Sequence, residues 1–523
     1  MTNQTTSRVH PAAKMHAEEY VQGKISRREF LTRATALGVA TTAAYSMIGA
    51  TPVKAEGHAQ MGGTLRHQME VRGLKEPRVY DWPQIANLMR GNFEYLVEYN
   101  NDGSVRGMLL ESWDVSDDAK TVTLNVRKGV MWDDGSELTA EDVARNIEGW
   151  CEKDVEGNSM AGRMATLIDP DTNKAIEGAI EVIDSHTVRL SLPAPDITIV
   201  VGMADYPAAI VPADLNTDDV MSAQGTGPFK LVELEVGVKA RLERKPDHTW
   251  WGTEVYGGPF LDAIEYIDYG TDPAAWLAAI EAEEVDVLYE SVGEFIDVFD
   301  SLDLEKNEVV TGATVVIRTN HEAEVDGKMP YADKRVRQAF ALAVNNDVVL
   351  ELGYGNRGVV AENHHVAPVH PEYAELPAPE YNPEKALALM TEAGYADMEH
   401  ELISIDDDWR KNSTDAAAAM MRDAGLNIKR TILPGSTFWN DWAKYPFSST
   451  NWSHRPLGVQ SERLRDLCNQ RRQDVGRFMS IHCIESTSNP TSSAGRVTRS
   501  CRMPVAHRAL VISSILRVTH TLH

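Results

Sequence analysis

Apolar and polar residues alternate with a period of two along Thr121–Val126 (TVTLNV), as in a half-buried strand. A looser alternation runs through Phe229, Leu231 and Leu234. It resumes after Gly237 at Val238, Ala240 and Leu242, which predicts a β-hairpin within residues 224–252. Gly225, Gly227 and Pro228 are expected to set a sharp turn before it, through positive φ at glycine and fixed φ at proline. Pro246, Asp247 and Trp250-Trp251-Gly252 close the stretch. Elsewhere the period becomes helical. Val143, Ile147 and Trp150 share one face, behind a capping-box pair at Thr139 and Asp142. Asp272-Pro273 opens a second helix with Trp276, Leu277 and Ile280 as its buried stripe, and a short strand follows at 285–288. Asp333 caps a third, with Val336, Phe340 and Ala343 inward. Asn382-Pro383 opens a fourth, with Leu387 and Met390 inward and Gly394 as its stop. The alternation of strands and helices predicts an α/β chain.

At 523 residues the chain is too long for one compact core, so two or three lobes are expected. The formal charge of −27 argues against a nucleic-acid partner. It is unevenly spread: residues 1–55 carry +4 and 458–523 carry +6, leaving −37 on 56–457. Such a body repels itself unless salt screens it, which suggests a saline source. Only Cys151 lies in the body; Cys468, Cys483 and Cys501 lie in the tail, and no CxxC or CxxCH motif offers metal or haem ligands.

Ser26-Arg27-Arg28-Glu29-Phe30-Leu31 matches the twin-arginine export consensus, with Thr32 in place of the usual lysine. A weakly apolar stretch at 34–50 follows, and Val53-Lys54-Ala55 offers a small-residue cleavage site before Glu56. Residues 1–55 therefore read as a signal peptide, with Arg27, Arg28 and Ala55 as its signal residues. The expected product is soluble, exported folded through the twin-arginine translocase to the periplasm. No cysteine near the site offers a lipid anchor.

Several motifs are decoys. Residues 353–358 spell GxGxxG, but they end a predicted helix instead of opening one after a strand, so helix-stop glycines are the better reading. His364, His365 and His370 fit no metal-site spacing. No GxSxG elbow and no HExxH is present. No catalytic residue, metal or cofactor is expected.

Separate blocks, in order, resemble one family. They are 62–66 (GGTLR), 110–114 (LESWD), 127–136 (RKGVMWDDGS), 224–252, and the helix starts at 333 and 382. The chain resembles the family 5 extracellular solute-binding proteins, the ligand-catching subunits of peptide-type ABC importers. The resemblance implies a two-lobed, class II periplasmic-binding-protein fold of the large peptide-binding type, with lobe I at 62–318 and lobe II at 319–457. It also implies closure on a peptide-like or other small organic solute, and delivery to a membrane permease driven by its ATPase. An exported enzyme, or a sensor or chaperone-like binder on the same fold, are the alternatives.

The family's "GWGADYPDP" region faces the ligand, and it corresponds here to the aromatic-rich stretch 438–456. Candidate ligand residues are Trp439, Asp441, Trp442, Tyr445, Asn451, Trp452 and Arg455. In peptide-binding members an aspartate there pairs with the peptide's α-ammonium; anchored on Pro456, that position is Trp452. A tryptophan offers a face for an apolar group, a sugar or a quaternary ammonium. Asp441 or Asn451 is the candidate substitute for the lost carboxylate, and Arg455 suits a carboxylate or phosphate. From Gly458 lysine, tryptophan and tyrosine vanish and arginine becomes the only basic residue besides histidine. This tail, 458–523, reads as a frameshifted end of the gene.

The acidic body generates a test. Tm rises between low salt and about 1 M NaCl, where the Debye length is only ~3 Å. An unchanged Tm in thermal melts contradicts the self-repulsion argument.

Overall fold

The computed structural model describes residues 9–51, 60–291, 295–302, 304–306, 311–364, 366–370, 373–442, 444–452, 454 and 483–484. The described residues up to Asp268, with Glu284–Val287, form one compact unit. Tyr269–Glu283 and the described residues from Leu288 onward form another. The division falls at Asp268, not at the crossing expected near 317–320. Residues 269–283 go with the second unit, tied there by Thr271 Oγ1 donating to the Asp406 carbonyl at 2.9 Å.

In the first unit, three short helices come first: α1 (Pro11–Val21), α2 (Arg27–Ala36) and α3 (Thr41–Met47). The twin-arginine block starts α2, through a capping box in which Ser26 and Glu29 satisfy each other's backbone N–H at 3.1 Å. Phe30 and Leu31 are fully buried among Ala13, Leu37, Val39, Ala44 and Tyr45. Thr35 Oγ1 accepts from Val105 N (2.8 Å), and Trp113 Nε1 donates to the Ala36 carbonyl (3.2 Å). Ala55 lies outside the described residues.

The body follows with β1 (Thr64–Gln68), α4 (Pro83–Met89), β2 (Val97–Tyr99), β3 (Val105–Gly107), β4 (Leu110–Val115), β5 (Thr121–Val126), α5 (Ala140–Trp150), β6 (Ile180–Asp184), β7 (Thr187–Ser191), the hairpin β8 (Phe229–Glu235) and β9 (Lys239–Arg244), β10 (Ala263–Ile267) and β11 (Val287–Leu288). One sheet has the order β8-β9-β10-β1-β11, in which β1 and β10 run parallel; another has the order β4-β5-β7-β6. The hairpin forms where its alternation predicted, turning at Gly237 (φ 75°), with Phe229, Leu231, Ala240 and Leu242 buried. A register shift lies between Leu231 and Glu233, and Val238, beside the Gly237 turn and outside the strand, is exposed. Gly225 and Gly227 are required for a reason other than the positive φ expected of them. A Cβ at Gly225 would stand 2.1 Å from the Asn92 carbonyl oxygen, and one at Gly227 2.3 Å from that of Gly91. The two segments touch backbone to backbone, with Gly227 N donating to Asn92 O and Phe229 N to Gly91 O, both at 2.9 Å. Beside this contact lies Glu94, 3% exposed. One carboxylate oxygen accepts from Trp250 Nε1 and the other from Trp251 Nε1, each at 2.9 Å.

The second unit contains α6 (Pro273–Glu281), β12 (Thr314–Thr319), α7 (Lys334–Leu342), α8 (Asn346–Tyr354), α9 (Pro383–Ala393), β13 (His400–Ile405), α10 (Asp408–Asp423), β14 (Ile428–Leu433), α11 (Gly435–Asp441) and β15 (Phe447–Trp452). Its sheet order is β12-β15-β13-β14; β13, β14 and β15 run parallel, and β12 is antiparallel to β15. Helices α7 to α10 bury Val336, Phe340, Ala343, Met390 and Met421 with Ile317, Leu402 and Phe447 of the sheet. Two expected stripes differ. Leu387 is 38% exposed because the line through Ala386 and Met390 faces the core, leaving Leu387 on the flank near Gly425. In α6 the buried residues are Pro273, Ala279 and Ile280, while Trp276 and Leu277 are half-buried. Gly355, at φ 59°, stops α8, so the GxGxxG string is a helix end.

Burial raises the Glu94 pKa, with the two indole donors pulling the other way. Glu94→Leu leaves two buried indole N–H groups without an acceptor, at roughly 1–3 kcal/mol each. Because the folded state holds the Glu94 proton more tightly than the unfolded chain, this group's contribution falls as pH rises through its raised pKa. The deficit of Glu94→Leu in denaturant melts is therefore larger at about pH 4 than at about pH 7.

Candidate functional site

The aromatic candidates gather on the second unit's sheet. Residues directly opposite in an antiparallel pair share a face. Arg318, Val316 and Thr314 of β12 stand opposite Ser448, Thr450 and Trp452 of β15, and Ser448 pairs in turn with Ile403 of β13. Ile403 packs with Ile405 and Phe438, beneath Trp439, Trp442 and Tyr445. This face thus carries Trp452 with the segment from α11 to β15 laid over it. The opposite face, with Ile317 and Phe447, packs on the helices, and Asn451 belongs to it.

Trp442 and Trp452 meet edge to face, with ring centroids 6.1 Å apart at 80°. The Arg318 guanidinium stacks on Trp442 at 4.6 Å from its centroid and donates to the Trp442 carbonyl. Phe438 holds Trp439 edge to face at 4.9 Å and Tyr445 at 5.4 Å. At the carboxyl edge of the parallel strands, Arg410 of α10 lies 5.0 Å over Trp409 and 5.3 Å from the Trp439 centroid. Its Nη1 donates to Asn451 Oδ1 at 3.0 Å. Arg410 therefore joins Asn451 and the tryptophans, which the strand alone would send to opposite faces. Asp407 anchors it: its buried carboxylate caps α10, accepting from Arg410 N at 2.9 Å, and pairs with the Arg410 side chain. Burial raises the Asp407 pKa and Arg410 opposes that rise.

Of the seven candidates, Trp439, Trp442, Tyr445, Asn451 and Trp452 share this cluster. Asp441 is exposed and paired with Lys444 at 3.1 Å. Arg455 lies outside the described residues. Sequence reasoning missed Arg318, Arg410 and Trp409. The available signal was the run ISIDDDWR, a strand ending directly in a capped helix, since open α/β sheets place ligands outside the carboxyl ends of their strands. Ser448 Oγ and Thr450 Oγ1, fully buried on the Trp452 face, have no hydrogen-bond partner among the described residues.

Among the described residues no group of three His, Cys, Asp or Glu side chains could hold a metal ion. His364 pairs with Glu362 at 2.8 Å, and burial pushes the Cys151 thiol up to about 12. A hollow of about 720 Å³ in the first unit is lined in part by Arg78, Arg145 and Trp150; Arg78 is held by Glu152 and Arg145 by Asp142. Among the described residues no helix is long and apolar enough to cross a membrane.

The α/β architecture is that of the two-lobed periplasmic binding proteins. A periplasmic binding protein of Helicobacter pylori, solved with a bound peptide, superposes with a TM-score of 0.63 at 17% identity, over 77% of this chain and 84% of that one. An Agrobacterium binding protein solved with agropinic acid gives 0.61 at 22%, over 74% and 77%. Residues 104–461 match the bacterial extracellular solute-binding proteins, family 5 (middle region), and the chain belongs to that family. A probable peptide ABC transporter periplasmic-binding protein of Sinorhizobium fredii is 26% identical over 77% of this chain and 76% of its own length. The dipeptide-binding protein of Escherichia coli is 25% identical over 55% and 54%. Members of the family are solute-binding proteins, not enzymes.

Removing Arg410 isolates the buried Asp407 carboxylate. Arg410→Met destabilises the protein by about 3–5 kcal/mol in chemical denaturation. A loss below about 1 kcal/mol contradicts the pairing.

Proposed function

We propose that this chain is the solute-capturing component of an ABC importer, binding a peptide-like or other small organic solute and passing it to a membrane permease powered by its ATPase. The family match over residues 104–461 carries this reading. Named relatives that are peptide-binding components of ABC transporters support it. No residue is assigned a catalytic role. The solute contacts are assigned to Trp452, Trp442, Trp439 and Tyr445, which offer ring faces and edges, with Asn451, Asp441 and Arg455 as polar neighbours. Trp452 stands where a peptide binder would present its ammonium-pairing carboxylate, so a free-amine peptide is disfavoured and a ligand with an apolar or sugar face is preferred. Export uses the twin-arginine leader of residues 1–55, cut after Ala55 to leave a soluble periplasmic protein. Two lobes do the binding, and the tail from 458 is a frameshifted end.

Native mass spectrometry of the protein purified from the periplasm tests the reading. The expected species begins at Glu56 and carries an additional small-molecule mass. A cytoplasmic, uncleaved and solute-free protein overturns it. Trp452→Ala lowers the affinity for the co-purified solute by about tenfold or more, the scale of one lost aromatic contact. An unchanged affinity removes Trp452 from the site.

A further inference from the structure

Helices α1 to α3 are laid against the β2–β3 turn and β4 of their own unit. His10 Nδ1, at the cap of α1, accepts from Ala12 N at 3.1 Å, so its Nε2–H donates to the Ser116 carbonyl, also at 3.1 Å. Tyr45 of α3 donates its hydroxyl to Asp102 Oδ2 at 2.6 Å, and the other oxygen of that carboxylate braces the turn by accepting from Ser104 N at 2.9 Å. Val115 joins the apolar cluster around Phe30 and Leu31. The two surfaces also fit by leaving side chains out. A Cβ at Gly103 would stand 2.5 Å from Arg28 Cγ and 2.9 Å from Thr32 Oγ1, and one at Gly38 would stand 2.5 Å from the Trp113 carbonyl oxygen. Both glycines have positive φ, 87° and 84°.

The twin-arginine block is the part that this surface engages. Arg28 Nη1 donates to the Asn101 carbonyl at 3.1 Å, its Nε is shut off from solvent, and its guanidinium lies 5.7 Å from the Tyr99 centroid. Arg27 stays exposed but lies 4.8 Å over the ring of Tyr45, whose hydroxyl is bound to Asp102. Thr32 stands where the export consensus has lysine. It is 2% exposed and donates its hydroxyl to the Gly103 carbonyl at 2.7 Å. A lysine there would have to bury its ammonium or break the contact. The one departure from the consensus thus falls on a residue committed to the body.

We propose that the β2–β3 turn and Trp113 form a docking surface for the chain's own twin-arginine segment, and that docking withholds the motif from the translocase in the folded precursor. A receptor that reads two arginines must offer acceptors to both guanidinium forks, and here the Arg28 fork is turned into the body. Docked and open leaders are two states of one chain, of which only the open one is recognised. The apparent affinity of the translocase for the precursor is therefore reduced by the open fraction. This inference rests on the export-leader reading of residues 1–55.

The test uses the full-length precursor and two variants of the body that leave the leader sequence untouched. Trp113→Phe removes the donor to the Ala36 carbonyl and keeps an aromatic ring, while Gly103→Ala drives a methyl group against Arg28 and Thr32. Trypsin cuts after Arg27, Arg28 and Arg33 only when α2 opens, so the cleavage rate, followed by mass spectrometry, reports the open fraction. Trp113→Phe is expected to be cut about fivefold faster than the wild type, the factor for one lost hydrogen bond. Gly103→Ala is expected to be cut faster still. In cells, conversion of pulse-labelled precursor to the periplasmic form is expected to quicken in the same order, and to stop in the double variant Arg27→Lys, Arg28→Lys. Equal trypsin rates in the wild type and both variants overturn the docking surface. Faster cleavage with unchanged conversion overturns the masking and leaves the docking. Conversion that is absent in the wild type, or indifferent to the double variant, rejects the twin-arginine reading and the masking with it, while the trypsin rates still decide the docking. If Gly103→Ala does not fold, Trp113→Phe alone decides each outcome.

Discussion

Two indole N–H groups converge on one buried carboxylate at Glu94, and the first unit is arranged around that contact. Trp250 and Trp251 follow the β8–β9 hairpin, while Glu94 follows α4. Holding them together presses the hairpin's entry against the backbone of Gly91 and Asn92, where only glycine fits at 225 and 227. The same clamp lies just past the end of α4, where Arg90 sits over the Tyr95 ring. A carboxylate without its two donors would be a poor choice for such a position, since a buried charge is tolerated only when it is matched.

The second unit applies the same rule with the signs arranged differently. Asp407 is buried at a helix N-cap and Arg410 compensates it, yet that guanidinium is also stacked between Trp409 and Trp439 and bonded to Asn451. One ion pair thereby orients the carboxyl edge of three parallel strands and the aromatic segment over one face of the sheet. The fold accommodates a peptide in one solved relative and agropinic acid in another. Side chains at the edges, not the sheet, therefore decide what such a protein captures.

The N-terminal helices show how one sequence serves two readings. Ser26-Arg27-Arg28-Glu29-Phe30-Leu31 fits an export motif, and its Ser26/Glu29 capping box also starts a helix whose Phe30 and Leu31 are fully buried. Small residues permit the close packing that follows: at Gly38 a Cβ would stand 2.5 Å from the Trp113 carbonyl oxygen.

Local signals were legible wherever the chain answers to its own near neighbours. The hairpin at Gly237, the caps at Thr139, Asp272, Asp333 and Asn382, and the stops at Gly355 and Gly394 depend on residues within a few positions, and each was readable from the sequence. The cluster of Trp439, Trp442 and Trp452 was legible as a set of residue types, though not as a geometry. Only the tertiary structure decided that Leu387 faces outward, that Gly225 and Gly227 serve close approach, and that Arg318 and Arg410 complete the aromatic cluster. It alone paired Glu94 with Trp250 and Trp251 across 156 and 157 positions of sequence. Period, capping and turn chemistry are short-range and written in adjacent residues. Burial and charge compensation depend on which distant segments share a space, and the folded chain alone specifies that.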